Sequence, residues 1–133
     1  MKQTKELIMI VEDDRQIQDF IAYSLMTAGF GVLTAGGVEE AMRKMLSKKP
    51  DIMVLDLGLP DGDGLDLIRR VRKFSDIPII VVSARDKEED KIEALDRGAE
   101  DYITKPFSES ELMARIRVLR RHLIREERSR MGA

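Results

Sequence analysis

The sequence of 133 residues has no cysteine, a single histidine and no long apolar run. Without cysteine the chain can form no disulfide and no thiolate zinc site, and it has no thiol nucleophile. No apolar run approaches the ~18 residues of a membrane-spanning helix, and the N-terminus lacks the apolar stretch of a signal peptide. We therefore expect a cytoplasmic protein that makes no contact with a membrane.

Neither sign of charge predominates, since 23 Lys and Arg residues stand against 25 Asp and Glu residues, for a net charge of −2. This balance argues against nucleic-acid binding through bulk positive charge. Arginines are dense only in residues 115–130, where a solvated helix end explains them better than a DNA-binding helix. His122 lies among these arginines, so we expect it to be solvated too. The length fits one domain.

Short apolar runs alternate with longer amphipathic stretches along the chain. The runs are residues 7–11, 31–35, 52–55, 79–82 and 102–104. The first, third and fourth are apolar at every position, as is typical of a strand covered by helices on both faces. The stretches between the runs, and the one after the last run, have apolar residues at helical spacing. This order predicts a doubly wound α/β fold with a parallel sheet.

The last two predicted helices differ in their apolar stripes. Residues 87–97 carry only Ile92 and Leu95, so we expect this helix to be loosely held. The final helix begins at Ser108, which forms a capping-box pattern with Glu111, and it continues to about Arg128.

Polar residues follow four of the five apolar runs, at the edge of a doubly wound sheet where ligands bind. They are Glu12-Asp13-Asp14 after the first run, Asp56 after the third, Ser83-Ala84 after the fourth and Lys105-Pro106 after the fifth. Oxygen ligands without His or Cys suit a hard ion, and Mg²⁺ needs few carboxylates because it keeps several waters. Beside a lysine and a serine, such a site fits transfer of a phosphoryl group to a carboxylate nucleophile.

Other acidic residues have simpler interpretations. Asp14 suits the N-cap position of the first helix, because aspartate is favoured there. Residues 61–64, Asp-Gly-Asp-Gly, could begin a calcium loop. They lack the later ligands and the closing glutamate of such a loop, so a turn with a helix cap is the better interpretation.

Four motifs at these strand ends resemble those of response-regulator receiver domains, over residues 5–122. They are Val11-Glu12-Asp13, Leu55-Asp56-Leu57-Gly58-Leu59-Pro60, Ser83-Ala84-Arg85 and Tyr102-Ile103-Thr104-Lys105-Pro106-Phe107. Residues 98–107 further resemble the OmpR/PhoB subfamily of transcription regulators, and residues 55–64 resemble the potassium-transport (Kdp) regulators within it. The resemblance implies a five-stranded parallel sheet of order 2-1-3-4-5, in a flavodoxin/CheY-like doubly wound fold.

The resemblance implies that Asp56 accepts a phosphoryl group from the phosphohistidine of a sensor histidine kinase. Asp13, Asp56 and the Gly58 carbonyl would ligate Mg²⁺, for which Mn²⁺ or Ca²⁺ can substitute, and Glu12 would act through a water. Lys105 and the Ala84 N–H would bond to the phosphoryl oxygens. The chain would then be a phosphoacceptor regulator rather than an enzyme, one that assists its own phosphorylation and dephosphorylation.

By the same resemblance, Ser83 and Tyr102 are the switch residues: the Ser83 hydroxyl swings toward the phosphoryl group and Tyr102 follows it inward. The Lys105-Pro106 peptide bond is expected to be cis. The face formed by the fourth helix, fifth strand and fifth helix is expected to make a two-fold homodimer on phosphorylation. Its residues are Lys91 opposite Glu111, Asp101 opposite Arg115 and Asp96 opposite Arg117, around Ile92, Leu95 and Ala114.

The expected domain organisation is a receiver domain in residues 1–122, followed by a helix end and linker in residues 123–133. The resemblance to the OmpR/PhoB subfamily implies that the linker would lead to a C-terminal winged-helix effector domain absent from this chain, and only that domain would contact DNA. The alternative is a stand-alone receiver.

Three other functions are compatible with a doubly wound fold. A flavodoxin-like cofactor binder needs Ser, Thr or Gly after the first strand, where Glu12-Asp13-Asp14 would repel a phosphate. A phosphatase with an aspartyl nucleophile needs a second acid two residues later, where Gly58 stands. The remaining alternative is a degenerate receiver, a phosphorylation-independent interaction module. It predicts no Mg²⁺ affinity and no response to a phosphodonor.

Overall fold

The computed structural model describes residues 6–132 and shows strands alternating with helices. In chain order these are β1 (Leu7–Val11), α1 (Arg15–Thr27), β2 (Gly31–Ala35), α2 (Val38–Lys48), β3 (Ile52–Leu55), β4 (Gly58–Leu59), β5 (Gly62–Asp63), α3 (Gly64–Arg72), β6 (Ile79–Ser83), α4 (Glu88–Arg97), β7 (Asp101–Thr104) and α5 (Glu109–Gly132). The five predicted strands and five predicted helices are all present. The short antiparallel hairpin of β4 and β5 was not predicted from the sequence.

The main sheet has five parallel strands in the order β2-β1-β3-β6-β7. Because β6 and β7 are the fourth and fifth strands of this sheet, the predicted order 2-1-3-4-5 is confirmed. Val11 at the end of β1 lies opposite Ala35 of β2 and Leu55 of β3. The winding direction reverses between β1 and β3, so the residues after these two strands border the crevice where such sheets bind ligands.

The sheet has one hydrophobic core on each face, which is why its central strands are apolar throughout. Met9 and Val11 of β1 belong to the core shared with α2, α3 and α4, while Ile8 and Ile10 belong to the core shared with α1 and α5. All four side chains are fully buried. A strand whose side chains contribute to both cores has no face in contact with solvent, so apolar and polar residues cannot alternate along it.

Two helix starts agree with the sequence interpretation, and one helix end does not. Asp14 caps α1, since its carboxylate accepts hydrogen bonds from the N–H groups of Gln16 and Ile17 at 3.0 and 3.2 Å. The Ser108 hydroxyl accepts from the Glu111 N–H at 3.0 Å, one residue before α5 begins. The predicted end near Arg128 was wrong, because α5 continues to Gly132 and passes residue 122 without a break.

Helix α4 is held to the body by little apolar burial. Ala94 is its buried side chain, while Ile92 and Leu95 are 49% and 44% exposed. Arg97 of α4 instead reaches Asp66 of α3 at 3.2 Å. Within residues 6–132 we find no helix that combines the length and the apolar character needed to cross a bilayer.

Candidate functional site

Three carboxylates meet at the carboxyl ends of β1 and β3. Glu12 and Asp13 follow β1 directly, and Asp56 follows β3. Backbone hydrogen bonds of 2.9 Å, from Glu12 N–H to the Ala35 carbonyl and from Asp56 N–H to the Val11 carbonyl, continue the sheet ladder past the strands. One oxygen each of Glu12, Asp13 and Asp56 lies within 4.8 Å of the other two. The sheet register therefore produces an acidic cluster.

Lys105, on the loop after β7, is the cation of this cluster. Its Nζ lies 2.8 Å from Glu12 Oε1 and 3.4 Å from Asp56 Oδ2. The Lys105 backbone N–H donates to the Ser83 carbonyl at 2.8 Å, and the Lys105-Pro106 peptide bond is cis, as the resemblance implies. One ammonium against three carboxylates leaves an excess of negative charge at the site.

Burial and charge shift the pKa values of the Glu12–Lys105 pair. Burial raises the pKa of the Glu12 carboxyl and the charge of Asp56 adds to the rise, against opposing hydrogen bonds from Lys105 and the Asp14 N–H. Burial alone would lower the pKa of Lys105, but the hydrogen bond to Glu12 and the charges of Asp56 and Glu12 raise it. Lys105 therefore remains protonated, and its hydrogen bond opposes the rise in the pKa of Glu12.

The arrangement fits a divalent cation bound by oxygen ligands. Both oxygens of Glu12 already accept hydrogen bonds, one from Lys105 and the other from the Asp14 N–H at 3.0 Å. Glu12 is therefore better suited to contact a cation through a water than directly. Asp13 is exposed and Asp56 contributes a nearly buried carboxylate. Gly58 is exposed two residues after Asp56, and a Cβ there would meet no atom within 4 Å. An added cation would offset the excess of negative charge.

The Ser83 hydroxyl is engaged with its own loop. Ser83 ends β6 and is 2% exposed, and its Oγ accepts a hydrogen bond from the Arg85 N–H at 3.1 Å. Ala84 is exposed at the start of the loop to α4. Tyr102 on the neighbouring strand is half-buried against the core shared with α2, α3 and α4. Its hydroxyl donates to the Arg85 carbonyl at 2.7 Å. Burial raises the pKa of Tyr102.

Arg85 lies two residues after Ser83, where the resemblance to receiver domains implies a position that lines the path of a hydrolytic water, and the structure shows a further contact of its side chain. Its Nη1 lies 3.3 Å from Asp63 Oδ2, and its Nη2 lies 3.4 Å from the Leu57 carbonyl oxygen. The guanidinium thus joins the loop after β6 to the loop after β3. Nothing in the local spacing of these residues pointed to this contact, because 22 residues separate Arg85 from Asp63.

The acids of the β4–β5 hairpin cap helices, which confirms the turn-and-cap interpretation. Asp63 caps α3 through the Leu65 N–H at 2.9 Å. Asp61 caps α2 from a distant segment, accepting from the N–H groups of Val38 and Glu39 at 2.7 and 3.2 Å. Gly37 permits this approach, because a Cβ there would lie 2.6 Å from Asp61 Oδ1.

A mostly apolar cavity of about 530 Å³ adjoins the cluster beside Lys105. Its lining residues are Gln16, Ile17, Phe20, Ala84, Lys105, Pro106 and Phe107. The rings of Phe20 and Phe107 pack with their centroids 6.1 Å apart. The cavity therefore lies between α1 and the loop after β7, with Lys105 shared between its wall and the acidic cluster.

The structure brings the residues expected at the dimer face onto α4, β7 and α5. Ile92, Leu95 and Ala114 are exposed there. Arg115 pairs within its own chain, with Asp101 at 3.0 Å and Glu111 at 3.6 Å. Lys91, Asp96 and Arg117 form no ion pair with any residue that the structure describes.

Comparison with known proteins identifies relatives of this fold and site. The family described as response regulator receiver domain matches residues 8–117. The KDP operon transcriptional regulatory protein KdpE of Escherichia coli (strain K12) is 49% identical over 116 residues, covering 86% of this chain and 52% of that protein. The transcriptional regulatory protein KdpE of Staphylococcus aureus is 51% identical over 114 residues, covering 86% of this chain and 49% of that protein. The chain thus spans about half the length of these relatives.

A solved structure is similar in three dimensions. The BeF3-activated N-terminal receiver domain of Klebsiella pneumoniae RstA superposes with a TM-score of 0.83 at 34% identity, covering 86% of this chain and 99% of that one. The family match and the two KdpE regulators confirm the resemblance to OmpR/PhoB-type and Kdp regulators that the strand-end motifs indicated.

Proposed function

The chain belongs to the response regulator receiver domain family, and we propose that it accepts a phosphoryl group on Asp56 from a sensor histidine kinase, in a transfer that requires Mg²⁺. The observation that carries this proposal is the convergence of Glu12, Asp13, Asp56 and Lys105 at the carboxyl ends of neighbouring strands. The chain acts as a phosphoacceptor regulator rather than as a classical enzyme.

The transfer is a nucleophilic displacement at phosphorus. A carboxylate oxygen of Asp56 forms the new P–O bond as the P–N bond to the donor histidine breaks, and the imidazole leaves with the electron pair. The Lys105 ammonium, 3.4 Å from Asp56, is placed to stabilise charge on the phosphoryl oxygens. Asp13, Asp56 and the Gly58 carbonyl would hold Mg²⁺, with Glu12 acting through water. When bound, Mg²⁺ supplies positive charge that offsets the carboxylates and the phosphoryl oxygens.

The product is an acyl phosphate on Asp56, and the same site assists its hydrolysis. Phosphorylation adds negative charge and three acceptor oxygens to a nearly buried group. The Ala84 N–H and the Ser83 hydroxyl would bond to these oxygens, and Tyr102 would move inward after Ser83. Differential contacts of this kind shift the population between two loop arrangements.

The output of the switch is the α4–β7–α5 face. Helix α4 has little apolar burial, so a loop rearrangement at its start can move it at low cost. Phosphorylation would promote a two-fold homodimer around Ile92, Leu95 and Ala114. Arg115 already pairs with Asp101 in its own chain. To form the expected pair across the dimer, Arg115 would have to leave that Asp101 and bind the Asp101 of the other protomer.

The proposal extends to the rest of the regulator. Residues 1–122 are the receiver domain, and residues 123–133 lead toward a winged-helix domain that binds DNA. The named relatives are transcriptional regulators, which supports this output and the cytoplasmic location expected from the sequence.

Intact-mass spectrometry after incubation with a small-molecule phosphodonor tests the transfer. One added phosphoryl group that requires both Mg²⁺ and Asp56 is expected, and the Asp56→Asn variant is the control. A folded protein that gains no phosphoryl group from the small-molecule donor or from a cognate kinase would instead be the degenerate interaction module.

Sedimentation tests the dimer separately. Treatment with beryllofluoride, which occupies an acceptor carboxylate in place of a phosphoryl group, is expected to convert monomer to dimer. Exclusively monomeric protein at high concentration after this treatment would refute the dimer and leave the phosphotransfer intact.

A further inference from the structure

The second half of α5 concentrates positive charge that the composition of the whole chain hides. Residues 115–133 hold seven arginines and two glutamates, although the net charge of the chain is −2. The rest of the chain is therefore net negative. Charge separated in this way creates a local positive potential that attracts polyanions to the helix even though the body repels them.

Three of these arginines lie on one face of the helix. Arg121, Arg125 and Arg128 follow one another at spacings of four and three residues, so on an α-helix they occupy an arc of about 60° and a length of about 10 Å. All three side chains are exposed, and α5 runs through them without a break. We call these three residues the arginine stripe.

The charge of the arginine stripe has no partner among the described side chains. None of the three arginines forms an ion pair with a side chain that the structure describes. The acids of residues 112–133 are Glu126 and Glu127, and neither stands three or four residues from a stripe arginine, the spacing at which helical ion pairs form. Arg70 of α3, by contrast, pairs with Glu39 at 2.9 Å. The stripe therefore presents positive charge to solvent.

The apolar face of α5 lies on the opposite side of the helix and is already used. Ile116 and Leu119 are buried, and Leu123 packs against the same core, which α5 shares with α1. A helix that lies on a membrane surface needs an apolar face to insert among the lipids. Because the body occupies that face of α5, the stripe suits a polyanion that is bound through charge alone.

We propose that the arginine stripe binds the phosphate backbone of double-stranded DNA without sequence preference. Arginine donates paired N–H groups to phosphate oxygens. One strand of DNA carries a charge for every ~3.4 Å of its axis, so a stripe of about 10 Å lets each arginine reach a different phosphate. Such contacts add affinity and orient a protein on DNA, but they do not read its sequence.

This inference goes beyond the proposed function, which gives DNA binding to a C-terminal domain alone. It rests on that function only in the choice of DNA as the polyanion. The stripe lies in residues 121–128, and residues 123–133 are proposed to lead toward the DNA-binding domain. The backbone of DNA held by that domain is therefore the polyanion that the proposed regulator brings to this end of the receiver.

The test is a titration of a fluorescently labelled DNA duplex of arbitrary sequence with the full chain, followed by anisotropy at several salt concentrations. Three phosphate contacts predict that the logarithm of the binding constant falls with the logarithm of the salt concentration with a slope of about −3. Replacement of all three stripe arginines by glutamine, which keeps helix propensity, is expected to weaken binding at low salt about tenfold or more and to bring the slope near zero. Replacement of all three by lysine keeps the charge and should retain the slope.

The matched control removes the same charge elsewhere. Arg43→Gln, Lys48→Gln and Lys49→Gln together neutralise three exposed cations near the end of α2. This control variant is expected to bind DNA as the wild type does. Equal weakening in the control and in the glutamine variant of the stripe would show that overall charge, rather than the stripe, governs binding, and would overturn the proposal.

Two further results would overturn it: no binding of the duplex by the wild type at low salt, or tighter binding to phosphatidylserine vesicles than to DNA. Phosphoryl incorporation at Asp56 is expected to be the same in the stripe variants and the wild type, because no stripe arginine belongs to the acidic cluster. A chain that is phosphorylated but binds no DNA would overturn this inference alone. A chain that binds DNA through the stripe but accepts no phosphoryl group would refute the proposed phosphotransfer and leave the stripe intact.

Discussion

Two groups of acidic residues lie at the same edge of the sheet, and they differ in what their oxygens contact. Glu12, Asp13 and Asp56 converge on one another with Lys105 as their cation. Asp61 and Asp63, only a few residues beyond Asp56, accept hydrogen bonds from the N–H groups that begin α2 and α3. Acidic composition therefore does not define the site. The two groups are separated by what their oxygens are used for: those of the cluster converge around Lys105, whereas those of the hairpin cap helices.

The largest expected effect comes from the acceptor itself. Asp56→Asn is expected to abolish phosphoryl incorporation, because the amide cannot act as the nucleophile. Intact mass after treatment with phosphodonor and Mg²⁺ measures this directly. Asp61→Asn and Asp63→Asn are the matched controls from the hairpin and should still be phosphorylated. Equal loss in all three variants would contradict the distinction between the two acidic groups.

Asp13 should matter next, through the cation. Asp13→Asn removes one of the two carboxylates proposed to contact Mg²⁺, so its affinity for Mg²⁺ is expected to fall about tenfold or more. Calorimetric titration of the unphosphorylated protein with Mg²⁺ measures the change. Asp14→Asn, a cap substitution one residue away, is expected to leave the affinity close to that of the wild type. Comparable losses in both variants would mean that the overall negative charge near the site, rather than direct ligation by Asp13, governs Mg²⁺ binding.

A hairpin carboxylate should affect stability rather than chemistry. Asp61→Ala leaves the N–H groups of Val38 and Glu39 without their acceptor and is expected to lower the melting temperature by a few degrees. Asp61→Asn keeps an acceptor and should melt closer to the wild type. Phosphoryl incorporation should persist in both.

Gly37→Ala sharpens this test, since its new Cβ would collide with Asp61 Oδ1. We expect Gly37→Ala to lower the stability of the wild-type protein by more than it lowers the stability of the Asp61→Ala variant, in which the colliding carboxylate is absent. Equal destabilisation in both backgrounds would show that the glycine is needed for some other reason.

The smallest expected effect is the pH dependence of the α2 cap. Hydrogen bonds from the Val38 and Glu39 N–H groups hold the pKa of Asp61 below its ordinary value. The stabilisation is therefore fully present above the unfolded pKa of about 3.9 and is lost as the pH falls through the lower folded pKa. Denaturant unfolding of wild type and Asp61→Asn should show a difference that shrinks below about pH 4. A difference that stays constant into acid would refute this assignment.

The sequence was sufficient for the sheet and for the acidic cluster, for a physical reason. Buried parallel strands must be apolar at every position, so β1, β3 and β6 can be recognised, and the residues that follow them must share one edge. Asp14 was also recognisable as a cap, because its partners are two and three residues away.

The contacts that were missed join segments far apart in the chain. Asp61 reaches α2 across 23 residues and Arg85 reaches Asp63 across 22, so no local spacing reveals either pair. The β4–β5 hairpin has two residues in each strand, too few for a periodic pattern. The end of α5 was placed too early because the residues beyond Arg128 carry no apolar stripe that would mark a packed helix.

The central claim, that Asp56 and not a neighbouring acid carries the phosphoryl group, is tested most directly by trapping the acyl phosphate. Borohydride reduces an acyl phosphate of aspartate to homoserine, and peptide mapping then locates the modified residue. After treatment with phosphodonor and Mg²⁺, we predict homoserine at position 56 and unmodified aspartate at positions 13, 61 and 63. Homoserine at any of those three positions, with Asp56 intact, would contradict the account.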